Sequence, residues 1–299
     1  MPEMHALDFP RHVLVKVGAS ALPVFKSRLW CRVFGRLIRG RKGMVASNLG
    51  IAQGLRWEVP IDRSDLAFGR PDGNLGERGA LAVTAALADP ASTFFDVGAN
   101  WGLYTALAAR HFKNVVAIEP EQALADALKR NIERNGISAS VLQAAVSDHD
   151  GQAVFLRNLD DDAMGSLVPV YADRYRLEET SVPVRQLCHI LEQHDARNAV
   201  LKIDVEGHGG AVWRGLRPAL SRVSAFLLEI TGPEAQEAVP KAVIQDSGWH
   251  GYYMADMELR HSVQGEFEYI APFWNWLFIP LGPERLAERL RGTKLRVRF

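Results

Sequence analysis

The chain has 299 residues, 35 basic and 35 acidic side chains and a formal net charge of zero, with 47% hydrophobic residues. That length and balance fit one large α/β domain with extensions, or two small ones. No run approaches the roughly 18 apolar residues of a transmembrane helix, and the N-terminus lacks a signal-peptide pattern, so a cytoplasmic location is expected. Cys31 and Cys188 stand far apart with no Cys-x-x-Cys and no clustered His, which supports neither a disulfide framework nor a metal site.

Neutral overall charge conceals an uneven distribution near the N-terminus. Between Ala21 and Met44, Lys26, Arg28, Arg32, Arg36, Arg39, Arg41 and Lys42 occur with no acid among them. Apolar residues recur there at helical spacing, Phe25, Leu29, Val33 and Leu37 on one row and Trp30, Phe34 and Ile38 on the next, which predicts a basic amphipathic helix. Three roles stay open for it: packing on the neighbouring domain, docking a partner, or peripheral contact with an anionic membrane, at the inner face. Nucleic acid is not an expected partner, because no recognition motif accompanies the charges. From Gly50 to Gly76 the chain is turn-rich, with a short extended piece at Leu55–Val59.

A helix is predicted from about Glu77 to Leu87, leading into an apolar strand at Phe94. That strand runs through Asp96 into the turn Gly98-Ala99-Asn100-Trp101-Gly102, and a second apolar strand, Val115 to Ile118, ends at Glu119-Pro120. Glycines let the backbone approach a polar ligand at a helix N-terminus, and an acid at the end of the second strand can accept two ribose hydroxyls. The spacing Gly98-x-x-x-Gly102 lacks the additional glycine that makes room for a pyrophosphate in dinucleotide enzymes. It points away from NAD and toward S-adenosyl-L-methionine, which has a ribose and an adenine but no phosphate.

Further along, Glu121–Asn135 reads as a helix closed by Gly136, and Ser140–Ser147 as a third strand. Gln152–Arg157 reads as a hairpin arm, and Asp160-Asp161-Asp162 as a solvated loop. Ala199–Asp204 and Ala225–Ile230 are the fourth and fifth strands; Gly251–Met254 and Trp276–Ile279 supply an antiparallel pair. Alternation of strand and helix predicts a Rossmann-like, doubly wound and mostly parallel seven-stranded sheet. The domain boundaries follow: an N-terminal extension over 1–76, the α/β domain over 77–280 and a charged C-terminal tail over 281–299.

In its ordered blocks the chain resembles the FkbM-type family of S-adenosylmethionine-dependent methyltransferases. The blocks are Asp96-Val97-Gly98-Ala99-Asn100-x-Gly102, Glu119-Pro120, Asn131 with Asn135-Gly136, Leu201-Lys202-Ile203-Asp204-Val205-Glu206-Gly207 and Asn275–Pro280. Two departures stand out: Gly209 where the family commonly has a carboxylate, and Leu187-Cys188-His189 where relatives often carry Leu-Asp. The resemblance implies methyl transfer from S-adenosyl-L-methionine to a small-molecule, sugar or glycolipid acceptor, with oxygen as the nucleophile. It implies a cofactor site made by Asp96, Gly98, Asn100, Gly102, Glu119, Val146 and Ser147, with Asp148 at the adenine edge and Glu77 as an active-site contact.

Asp204 and Glu206 flank the end of the fourth strand, beside the place where ligands bind open parallel sheets, and either could take the proton of a substrate hydroxyl. His208 is the alternative base. Lys202, two positions from Asp204 and on the same strand face, could instead pair with it and make the pair structural. An N-methyltransferase, or a catalytically weakened protein that binds cofactor or docks on membrane, are the alternatives.

The basic helix yields the first test. Each basic residue near an anionic surface contributes about 1 kcal/mol, screened by salt beyond roughly 10 Å at 0.1 M. Full-length protein should co-sediment with anionic vesicles at low salt and release at high salt, and removal of the first 45 residues should abolish this while leaving cofactor binding intact. Indifference of full-length protein to the vesicles, together with loss of solubility on truncation, would make the helix part of a core.

Overall fold

The computed structural model describes residues 42–47, 55–60 and 77–299, apart from 161–163, 170–171, 232 and 271–272. The chain forms two compact units, Met1–Gly73 and Asn74–Phe299. In the first, β1 (Lys42–Ser47) pairs antiparallel with β2 (Leu55–Pro60), Lys42 opposite Pro60. The predicted basic helix lies outside the described residues, except that Lys42 to Met44 belong to β1 rather than to a helix.

The second unit alternates strand and helix from its start. Helix α1 (Arg78–Ala86) precedes β3 (Thr93–Val97), α2 (Leu103–Ala108) and β4 (Asn114–Ile118). Next come α3 (Gln122–Arg134), β5 (Ala139–Leu142), β6 (Ala145–Ser147), β7 (Gly151–Asn158), β8 (Leu177–Gln186) and α4 (Leu187–Gln193). The remainder comprises β9 (Ala199–Ile203), α5 (Gly209–Leu216), β10 (Val223–Glu229), α6 (Pro233–Ser247), β11 (His250–Ala255), β12 (Glu258–Ser262), β13 (Asn275–Ile279), α7 (Pro283–Arg289) and β14 (Arg296–Arg298).

The main sheet has nine strands in the order β14-β12-β11-β13-β10-β9-β3-β4-β5. Strands β5, β4, β3, β9 and β10 run parallel, and β13 inserts antiparallel between β10 and β11. The expected seven-stranded sheet is therefore extended at one edge by β12 and β14. A second correction concerns the third strand. Only Ala139–Leu142 pairs with β4; the chain then leaves the sheet, and Ala145–Ser147 pairs parallel with β8 in a separate sheet ordered β6-β8-β7. Strand β8 carries Pro183, which lacks a backbone donor and obscures the strand in the sequence, yet Val182 and Val184 on either side are buried.

Central strands with helices on both faces bury every residue, which is why β9 and β13 are mostly apolar, broken only by Lys202 and Asn275. On one face Phe95, Val116, Leu201, Phe226, Trp276 and Phe278 pack against α4, α5 and α6, with Phe226 stacked on Phe278 at 5.0 Å. On the other, Phe94, Val115, Val200 and Leu227 meet α1, α2 and α7. Among the described residues no helix is long and apolar enough to cross a membrane.

The charged tail is built into this second layer. Leu286 on α7 is fully buried, Leu290 and Leu295 nearly so, and β14 pairs parallel with β12. Apolar spacing hidden among arginines and glutamates explains why the sequence shows only the charge. Leu286→Ala should cost about 2–5 kcal/mol, the range for a buried leucine truncation, read as a lower midpoint in urea unfolding; an unchanged midpoint would show that the tail is dispensable.

Candidate active site

The carboxyl ends of β3, β4, β9 and β10 lie along one edge of the main sheet, and the polar residues of the second unit gather there. At the exit of β3 the turn takes three left-handed residues, Gly98 (φ 77°), Asn100 (φ 49°) and Gly102 (φ 87°). A Cβ on Gly98 would collide with the backbone carbonyl oxygen of Asp204, while the Asp204 N–H donates to the Val97 carbonyl at 2.9 Å. The turn after β3 and the loop after β9 are thus pressed together at a point where only glycine fits.

Glu119, at the exit of β4, is 4% exposed. Its Oε2 accepts the Asn100 N–H at 2.8 Å and its Oε1 the Glu121 N–H at 2.9 Å. Burial pushes its carboxyl up to about 8, against the pull of those two N–H groups. Each oxygen retains acceptor capacity for a diol, since a carboxylate offers about four lone-pair sites. The two acceptor oxygens therefore fit the ribose hydroxyls of a nucleoside. Asp96 has a different position: 2% exposed, it accepts the Thr105 hydroxyl at 2.6 Å and so orients α2 beneath the turn, and burial raises it to about 6.

Val146 and Ser147 are buried on β6. Ser147 Oγ lies 2.9 Å from His208 Nε2, and Arg214 donates to the neighbouring Asp148 at 2.9 Å. Hydrogen bonds from His149 and Arg214 hold Asp148 near 2. Burial lowers His208 from its ordinary value, favouring the neutral imidazole. The fold thus brings His208 to the Ser147–Asp148 side, whereas Asp204 stands with a second group of acids.

That group surrounds Lys202, whose side chain is 1% exposed. Its Nζ lies 3.4 Å from Asp204 Oδ2 and 3.6 Å from Glu229 Oε2, and 5.2 Å above the Tyr104 ring. Burial pulls the ammonium down, but Asp204 and Glu229 outweigh it and hold it above its ordinary value. The Tyr104 hydroxyl donates to Glu77 Oε2, and Asn275 Nδ2 donates to Glu77 Oε1 at 3.2 Å. Strand register explains the grouping: Asp96 is opposite Lys202, Lys202 opposite Leu227, and Glu229 opposite Asn275, so these side chains share one face of the sheet.

Glu206 adopts φ 43°, its backbone carbonyl accepting the Ser166 hydroxyl at 2.7 Å from the loop that follows β7. Glu229 and Asn275 received no role from the sequence; the signal available was an acid ending a parallel strand, as at Glu119. Among the described residues no cluster of three or more His, Cys, Asp or Glu is arranged to hold a metal ion. Cys188 is buried on α4, with its thiol raised by desolvation.

Sheet order and site define a Rossmann-like domain of the class I methyltransferase type. The family model described as the methyltransferase FkbM domain matches residues 96–260, more than half the chain, and the chain belongs to that family. S-adenosyl-L-methionine is the cofactor that this membership implies. No curated protein matches the chain in sequence. Among solved structures it is similar to M. capricolum TrmK in complex with S-adenosyl-homocysteine (12% identity, TM-score 0.38, 67% of this chain and 66% of that one). It is also similar to an rRNA methylase from Streptococcus thermophilus (13%, 0.38, 67% and 91%) and to P. horikoshii TYW2 in complex with MeSAdo (15%, 0.37, 79% and 69%). The chain spans just under two thirds of the TrmK chain.

The state of Glu119 gives a test of its role. Raised to about 8, its carboxyl is protonated at neutral pH, whereas two ribose hydroxyls donate best to the ionised form. Binding of S-adenosylhomocysteine should therefore release a proton near pH 7 and tighten as pH rises toward 9, by calorimetry in buffers of different ionisation enthalpy. Glu119→Ala should weaken it by about 1.5–3 kcal/mol. Unchanged affinity in the variant would remove Glu119 from the ribose.

Proposed function

We propose that the protein is an S-adenosyl-L-methionine-dependent O-methyltransferase acting on a hydroxyl of a sugar, glycolipid or secondary metabolite. The observation that carries the reading is the contact of Gly98 with the Asp204 carbonyl, which fixes an acid one residue beyond β9 against the cofactor turn. The cofactor, when bound, supplies an electrophilic methyl group on a sulfonium. Gly98, Asn100 and Gly102 present backbone to it, Glu119 accepts from the ribose, and Val146, Ser147 and Asp148 border the adenine.

Asp204 is the group suited to receive the acceptor's proton. Its side chain is 33% exposed, whereas Glu229 is 13% exposed and Lys202 almost wholly enclosed. Lys202 Nζ ion-pairs with Asp204 Oδ2 at 3.4 Å and holds that side chain in place. Glu206, two residues on, is the second candidate base. Much of the rate gain would come from holding the hydroxyl in line with the methyl group, an effect worth about 7–11 kcal/mol in well-oriented reactions. Oxygen as the nucleophile rests on the family and on a site rich in proton acceptors.

Asp204→Asn and Glu206→Gln, made singly, should leave S-adenosylhomocysteine affinity within a few fold. At least one should lower turnover by roughly a hundredfold or more, the scale of general-base loss, measured as cofactor product released with the acceptor. Near-normal rates in both would move the proton transfer to His208 or leave positioning alone. Unfolding of both would make Asp204 and Lys202 a structural pair.

A further inference from the structure

The acids around Lys202 differ from an ordinary surface cluster in their hydrogen bonding. Asn275 is 1% exposed, and its Nδ2 is committed to Glu77 while its Oδ1 has no partner. The amide orientation is fixed by chemistry: turned over, it would set oxygen against the Glu77 carboxylate. Asp204 Oδ1 is a second buried acceptor with no partner. Lys202 Nζ, 3.4 Å from Asp204 Oδ2 and 3.6 Å from Glu229 Oε2, ion-pairs with both acids but makes no hydrogen bond to either acceptor. Buried acceptors left without donors are costly, so a group that supplies donors is expected there.

Charge points the same way. Glu77, Asp96, Asp204 and Glu229 face one another across the ends of α1, β3, β9 and β10, with Lys202 as the one cation among the described residues that ion-pairs within the group. Burial first, and then the charge of Asp204, raise the Glu229 carboxyl well above the usual range, with Lys202 pulling the other way. An anion entering would meet these carboxyls without a free countercharge.

We infer that Asn275, Glu77, Asp204 and Glu229 form a polar cluster that receives a hydrogen-bond-donating, non-anionic group, a hydroxyl or an ammonium, and that this restricts methyl acceptors to neutral or cationic molecules. The inference rests on the methyltransferase reading and adds the charge class of the acceptor. The same donor chemistry could come from the α-ammonium of the cofactor, and three probes distinguish the sources. S-adenosylhomocysteine carries that ammonium; 5′-methylthioadenosine lacks it; sinefungin carries a further amine in place of the transferred methyl, on the side the acceptor approaches.

Calorimetry on the full chain should find sinefungin bound at least tenfold more tightly than S-adenosylhomocysteine. Glu229→Gln, which keeps size and replaces the carboxyl with an amide, should erase that advantage, as should Asn275→Leu, while 5′-methylthioadenosine binds all three proteins alike. The inference is overturned if sinefungin binds no better than S-adenosylhomocysteine. It is also overturned if the variants weaken S-adenosylhomocysteine and sinefungin equally, because the donor is then the cofactor's own ammonium. Thermal melts of the cofactor-saturated proteins identify a misfolded Asn275→Leu, in which case Glu229→Gln alone decides. Failure of all three probes to bind wild-type protein would instead overturn the methyltransferase reading on which the inference stands.

Discussion

Everything at the working edge of this protein depends on one close approach, that of Gly98 to the carbonyl of Asp204. Two loops from adjacent parallel strands meet there without side chain between them, and the Asp204 N–H closes the contact on Val97. The glycine turn and an acid-bearing loop are thereby set at a fixed separation. Such positioning on strand ends is more exact than a site on free loops, because the sheet register behind it cannot slip without moving a whole apolar face into solvent.

The second constraint is electrostatic. Asp96, Lys202, Asp204 and Glu229 are carried inward by the same strands that make the core, so their charges are partly withdrawn from water. A lone buried ammonium or carboxylate would be strongly disfavoured, and the arrangement is tolerable because each compensates another. Lys202 is the centre of this balance. It serves stability by pairing with two acids at once.

Around this centre the second sheet has a subsidiary part. Strand β6 leaves the main sheet and joins β8 and β7, which carries Ser147 to His208 and sets the loop holding Ser166 against Glu206. The histidine is thereby drawn to the Ser147 side of the site. Its lowered basicity follows from burial, which outweighs the upward pull of Asp148.

The sequence by itself determined the alternation of strand and helix around the main parallel strands, the glycine turn, Glu119 at the second strand end and the acid after the fourth, because apolar periodicity and backbone freedom are local properties. It also identified the family through the ordered blocks from Asp96 to Gly207. It did not resolve Ser140–Ser147 into two strands in two sheets, since an apolar run looks the same whichever partner accepts its hydrogen bonds. It hid β8 behind Pro183 and the buried leucines of the C-terminal tail behind their charged neighbours. Only the tertiary structure decided that Glu229 and Asn275 stand beside Lys202, and that Glu77, at the start of α1, meets Tyr104 and Asn275. Those meetings depend on antiparallel insertion of β13 next to β10 and on packing of α1 over the sheet, long-range pairings that no local pattern encodes.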